Sequence, residues 1–202
     1  NAPGDPYADE QFGDQPFDRS LTVTAADGTD LHVEIVEPRA PGTKPTVVFV
    51  HGFALDMGTF YFQRQALTAS GENRLVFYDQ PGHGRSSRLQ SGDYDIAALG
   101  KSLAAVLDET VPDGHIILVG HSMGGMVSSV YAATYPSRLK ALIVVDSNLK
   151  MTPERIASYN AIGSSEGRHY GSQDEFIANY KVRPGGSTAA PEVLRHIARS
   201  SG

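Results

Sequence analysis

The chain has 202 residues, of which 40% are apolar and 20% charged, and its net charge is −6. That length and balance suit one globular domain with its own core, not a disordered segment, and the acidic charge offers no electrostatic footprint for nucleic acid or anionic lipid. Cysteine is absent, which excludes disulfide frameworks, thiolate metal sites and thiol catalysis, and no apolar run approaches the roughly 18 residues of a membrane span.

Residues 1–18 carry three Pro, two Gly and five acidic side chains, a composition that predicts an extended lead-in. The chain starts at Asn1 and shows no signal-peptide pattern, so export, attachment to a cell envelope and a cytoplasmic location all stay open. Residues 21–25 and 31–37 alternate around Asp27-Gly28, which predicts a β-hairpin. Thr46 to Val50 is a short apolar, β-branched run and reads as a strand buried on both faces. A helix is expected over 57–70, stopping before Gly71, then a second buried strand over 74–79. Residues 94–111 have helical apolar spacing and stop at Pro112. A third buried strand over 115–120, a helix over 122–135 and a fourth buried strand over 139–147 follow. Beyond residue 150 the pattern changes to helix-like pieces at 153–162, 173–180 and 191–199, separated by Gly, Ser and Pro. The expected architecture is α/β: a doubly wound, mostly parallel sheet over 19–150 with an antiparallel N-terminal hairpin, then a helical cap or lid segment over 151–202.

Gly120-His121-Ser122-Met123-Gly124 matches G-x-S-x-G. A chain of this composition would carry roughly 0.2 such matches by chance, so the setting must discriminate. Here the motif falls where a buried strand meets a helix, at the carboxyl edge of the sheet. A sharp turn there strains the serine, lifts its hydroxyl into the cleft and needs glycine at both flanks. It also puts the Met123 N–H at a helix start, where the dipole favours an oxyanion. His51-Gly52-Phe53 follows the first buried strand. His51 is expected to orient that loop through hydrogen bonds, and Gly52 to let backbone approach substrate closely. Asp79 to Ser86 reads as a tight turn that holds its loop near the site.

In their order and spacing VVFVHGF, FYDQPGHGRSS and LVGHSMGG resemble the α/β-hydrolase superfamily, and within it bacterial esterases, lipases and peptidase-like members with a helical cap. The resemblance covers about residues 20–150 and extends only loosely into 151–202. It implies a Ser–His–acid triad with Ser122 as nucleophile, and a second oxyanion donor from the loop after the first buried strand, for which the Phe53 N–H is the candidate. Gly52, Phe53, His121 and Met123 are then expected to face the substrate.

The resemblance also implies strands after residue 150 that would carry the acid and the histidine, and no residues match them. Three readings follow: a fragment, one of two polypeptides that together complete the fold, or substitution by unmatched residues. A sheet that stops before its last strands leaves an open edge, which favours the first two. As substitutes, Asp146 at the end of its strand is a candidate acid, and His169 and His196 are the histidines after Ser122. Both histidines read better as surface or packing residues than as the base.

The expected reaction is hydrolysis of a small-molecule carboxylic ester through an acyl-serine intermediate. Amide, thioester, lactone or carbon–carbon hydrolysis and perhydrolysis would use the same turn. A non-catalytic, small-molecule-binding module of this fold is the alternative from a different class. No cofactor or metal is implied, since no phosphate loop, dinucleotide fingerprint or ligand spacing is present. Leu55, Met57, Phe60, Tyr61, Phe62, Tyr159, Tyr170, Phe176 and Tyr180 could line an apolar acyl pocket, with ordinary packing the plainer reading of each.

Overall fold

A computed structural model describes Phe12 and residues 15–40, 42, 44–150, 152–157, 169–181 and 191–200. β1 (Arg19–Thr24) and β2 (Asp30–Val36) pair antiparallel from Arg19↔Ile35 to Thr24↔Asp30. The hairpin turns at Gly28, whose φ of 84° is the left-handed geometry that Asp-Gly supplies. Then come β3 (Thr46–Val50), a 3₁₀ turn (Met57–Phe60) leading into α1 (Tyr61–Ser70), β4 (Leu75–Tyr78), α2 (Ile96–Thr110), β5 (Ile116–His121), α3 (Met123–Thr134) and β6 (Leu139–Val145). The six strands form one sheet in the order β1-β2-β4-β3-β5-β6. The pairs β4–β3, β3–β5 and β5–β6 are parallel, and β1–β2 and β2–β4 antiparallel. This is the doubly wound sheet with an antiparallel opening that the hydropathy pattern predicts.

Strand order places the site. After β3 the chain crosses to β4 on one side, then returns to β5 on the other. The loops leaving β3 and β5 therefore part over the sheet's carboxyl edge, where open α/β sheets hold ligands.

One face of the sheet packs Val48, Val50, Val76, Tyr78 and Leu118 against α2 and α3 through Leu99, Leu103, Leu107, Val127 and Tyr131. The other packs Val47, Phe49, Leu75 and Phe77 against Met57 and Phe60. Phe49 and Phe77 sit opposite each other on β3 and β4, and their rings stack at 4.6 Å. Arg64 of α1 lies wholly buried on that face. Its guanidinium is 4.0 Å from the Phe77 ring centroid and donates to Glu34 at 2.6 Å. The helix can bury this charge because the pair and the ring replace its water.

β6 departs from expectation. It is not buried on both faces: Ile143 and Val145 are 48% and 45% exposed. α3 packs on one face of β6, where Val144 meets the Gly125 backbone. Among the described residues nothing shields Ile143 and Val145 to that degree on the other face, and β5 is the one strand bonded to β6. An apolar β-branched run thus reads as buried while its surroundings leave half of it bare.

In the C-terminal part, 153–157 are helical, as are Gln173–Asn179 and Pro191–Ser200. The rest of the piece expected at 153–162 lies outside the described residues. Ser172 caps its helix by accepting the Glu175 N–H at 3.2 Å. Phe12 is buried against Tyr61, Phe62 and His196. Among the described residues no helix is long and apolar enough to cross a membrane.

Candidate active site

Ser122 joins β5 to α3 with φ 52° and ψ −118°. Such a conformation costs a non-glycine residue on the order of 1–3 kcal/mol and persists only when its surroundings dictate it. Here they do. A Cβ on Gly120 would lie 2.5 Å from the Gly124 carbonyl oxygen, and one on Gly124 would run into the Val50 and His51 carbonyls. The Ser122 N–H donates to the Val145 carbonyl at 3.0 Å, and Ser147 Oγ donates to the Ser122 carbonyl at 2.6 Å. α3 starts at Met123, so the Met123 N–H sits at the positive end of the helix with no acceptor inside it. The expectation of two close-packed glycines around a strained serine agrees with this geometry.

The loop after β3 reaches the same point. A Cβ on Gly52 would stand 3.1 Å from the Ser122 Cβ, so the backbone entering Phe53 runs beside the carbon that bears the hydroxyl. His51 is fully buried. Its Nε2 accepts the Gln80 N–H at 2.9 Å, which leaves the proton on Nδ1 to donate to the Gly52 carbonyl at 2.8 Å. Burial pushes its pKa down to about 3. With both nitrogens engaged and the ring neutral, His51 orients the loop and takes no substrate proton. Phe53 is 60% exposed, and Ala54 adopts φ 55°.

A third loop, after β4, supports the second. Asp79 accepts the Met57 N–H at 3.0 Å and the Arg85 N–H at 2.9 Å. Burial raises its carboxyl pKa while those two donors pull it back. Gln80 donates its side-chain amide to the His51 carbonyl at 2.5 Å. His83 Nε2 accepts the Ala54 N–H at 3.1 Å. The Asp79–Ser86 turn therefore braces the Gly52–Met57 segment, as the sequence suggests in outline. The particular bonds were not legible, because each joins residues about twenty to thirty positions apart. The buried Glu34–Arg64 pair was missed for the same reason. Glu34 falls on the polar phase of its hairpin strand, and only the packing of α1 reveals its partner.

His121 is half-buried at the end of β5, and among the described residues its Nδ1 has no hydrogen-bond partner. Burial lowers its pKa and the nearby Asp146 carboxylate pushes it back up. Asp146 is exposed, with φ 44°. Ser122, Met123, Gly52, His121 and Asp146 thus gather at one edge of the sheet. His169 is exposed. His196 stacks on Phe12 at 4.7 Å, meets the Tyr61 ring edge-on at 4.9 Å and lies 3.4 Å from the Gly58 carbonyl. Neither is hydrogen-bonded to Ser122 among the described residues. Of the aromatic and apolar candidates for an acyl pocket, Met57, Phe60 and Tyr61 are core residues, Phe176 contacts both Tyr170 and Tyr180, and Tyr159 lies outside the described residues.

Comparison with known proteins gives one consistent picture. A profile of the alpha/beta hydrolase fold matches residues 45–183. The acetyltransferase component of the acetoin cleaving system of Pseudomonas putida is 41% identical over 103 residues, half of this chain and 26% of that protein. The pimeloyl-[acyl-carrier protein] methyl ester esterase of Aeromonas salmonicida is 35% identical over 107 residues, 53% of this chain and 39% of that protein. Among solved structures, an E-2-(acetamidomethylene)succinate hydrolase superimposes with a TM-score of 0.72 at 24% identity, covering 90% of this chain and 63% of that one, which is a likeness of fold. The chain thus spans well under half the length of these two curated relatives.

Proposed function

The chain belongs to the alpha/beta hydrolase fold family, and from that premise we propose that it is a serine hydrolase that cleaves a small-molecule carboxylic ester through an acyl-serine intermediate. The observation that carries this reading is the strained Ser122 at the β5–α3 junction, held by glycine packing at the start of a helix. A methyl ester esterase and a further esterase among the relatives support an ester as the substrate class.

In the proposed reaction Ser122 Oγ attacks the ester carbonyl carbon and loses its proton to a histidine. The Met123 and Phe53 N–H groups donate to the oxyanion, each worth on the order of 10²–10³ in rate. Collapse expels the alcohol, which leaves with that proton, and water then hydrolyses the acyl-serine. His51 has both ring nitrogens engaged, and His196 is stacked on Phe12 with its Nε2 3.4 Å from the Gly58 carbonyl. Among the described residues no histidine is hydrogen-bonded to Ser122, so the proposal places the proton-accepting histidine on a further stretch of polypeptide, either the same chain or a second one. Asp146 is the carboxylate at the edge beside the turn, and its exposure suits it to an electrostatic role toward such a histidine.

A panel of p-nitrophenyl acyl esters tests the reading. Turnover that disappears in Ser122→Ala, with the melting temperature kept, is the expected result; equal turnover in that variant would overturn it. That no histidine among the described residues is hydrogen-bonded to Ser122 favours one second reading, a binding module of this fold. Saturable binding of an ester without turnover, by a preparation that holds all of the protein's polypeptides, is the result that would establish it.

A further inference from the structure

We propose that His83 is a positioning residue for the loop that carries Phe53: its ring, with the proton on Nδ1, takes the Ala54 N–H on Nε2 and thereby holds the Gly52–Ala54 backbone against Ser122. The consequence for catalysis rests on the serine-hydrolase reading; the hydrogen bond itself does not.

Three observations carry it. First, Ala54 sits at φ 55°, a conformation that needs an outside constraint in a residue with a Cβ, and its N–H donates to His83 Nε2 at 3.1 Å. Second, the tautomer is fixed. His83 Nδ1 lies 2.9 Å from the Pro81 carbonyl, which accepts only if that nitrogen carries the proton. Third, the ring is mounted on a rigid turn. The His83 N–H donates to the Gln80 carbonyl at 3.0 Å, and its own carbonyl accepts the Ser86 N–H at 3.0 Å. Asp79 clamps the far side of the turn through the Arg85 N–H. The ring also meets Phe53 edge-on at 5.9 Å and His51 at 5.3 Å.

A second proton on this ring would set the Nε2–H against the Ala54 N–H, two donors face to face. The bond would break and the left-handed Ala54 would lose its constraint. The titratable groups that face His83 are His51, which is neutral, and Asp79, whose carboxylate favours the proton. Burial opposes the proton more strongly, so the ring stays neutral below the ordinary histidine range. In this account the loop after β3 remains seated at neutral pH and is released in acid, while the turn at Ser122, which contains no titrating bond, is unaffected.

The test reads the loop and the serine separately. Amide exchange at Ala54 is followed by NMR in the wild type, His83→Ala and His83→Gln, whose side-chain oxygen can reach the Nε2 position. The rate of fluorophosphonate labelling at Ser122 is measured in the same samples. Protection of the Ala54 amide is expected in the wild type, lost by about tenfold or more in His83→Ala, and largely restored in His83→Gln. Labelling is expected to slow and recover in parallel. In the wild type alone, Ala54 protection and protonation of the His83 ring should titrate with one midpoint, so the test survives a variant that fails to fold. Wild-type exchange at Ala54 in His83→Ala overturns the proposal, as do separate midpoints. Lost protection with wild-type labelling overturns the positioning role. Absence of labelling in a wild-type preparation that holds all of the protein's polypeptides removes the serine-hydrolase reading instead, and the Ala54 data then judge the tether by itself.

Discussion

Two backbone segments meet at the candidate site, and different forces hold them. The turn at Ser122 is fixed by close packing of main chain on main chain: Gly120 against Gly124, and Gly124 against the Val50 and His51 carbonyls. The loop through Phe53 is fixed by side chains that reach across from the neighbouring loop, namely Asp79, Gln80 and His83. The first arrangement rests on main-chain contacts, not on a titrating bond, and has no room for a methyl group. The second depends on the protonation of a histidine and a carboxylate. One site is thus assembled from a rigid half and a half that chemistry can loosen.

The largest effect should come from breaking the rigid half. Gly124→Ala forces a methyl group into two carbonyl groups that belong to the centre of the sheet, and overpacking against backbone has no flexible side chain to relieve it. A loss of about 3 kcal/mol or more is expected, read as a collapsed urea midpoint or failure to fold. A stability within about 1 kcal/mol of wild type would mean that the elbow is looser than described.

Acid should act on the other half. His51 is buried and neutral with its pKa pushed down from 6.5 to about 3, and burial lowers His83 in the same half and His121 and His196 outside it. The unfolded chain takes up these protons near pH 6.5, where the native state refuses them. The stabilising contribution is therefore complete above that pH and is lost as pH falls through the window down to the folded values. His51 alone would give a slope of up to about 1.4 kcal/mol per pH unit. Urea midpoints between pH 7.5 and 4 check this, and a flat profile would contradict the neutral, fully bonded His51.

The smallest effect sharpens the comparison. If Ser122 is strained for the sake of chemistry, Ser122→Gly should relieve it and raise stability by about 1 kcal/mol while abolishing any turnover. A destabilised variant would mean that the side chain itself helps to hold the turn.

The same division explains what the amino-acid sequence discloses. Ser122, its two glycines and the helix that follows lie within a few residues of one another, and local pattern is enough to place them. The strands β3, β4 and β5 are legible because continuous β-branched runs between turns have few other uses. The braces are not. His83 meets Ala54 across 29 positions and Arg64 meets Glu34 across 30, and both contacts exist only because β3 and β2 each lie beside β4. β6 shows the converse failure. Its composition is that of a buried strand, yet burial belongs to neighbours rather than to sequence, and Ile143 and Val145 stand exposed. The histidines after Ser122 were legible as poor candidates for a base, and the engagement of His196 by Phe12 supplies the physical reason.

The proposed function rests on Ser122 being the nucleophile of a hydrolase site. The most direct measurement is labelling of the protein as isolated with a fluorophosphonate, followed by intact mass and peptide mapping. A single adduct on Ser122 that disappears in Ser122→Ala is expected. Failure of the folded wild type to label in a preparation that holds all of the protein's polypeptides, or an adduct that survives in Ser122→Ala, would contradict it.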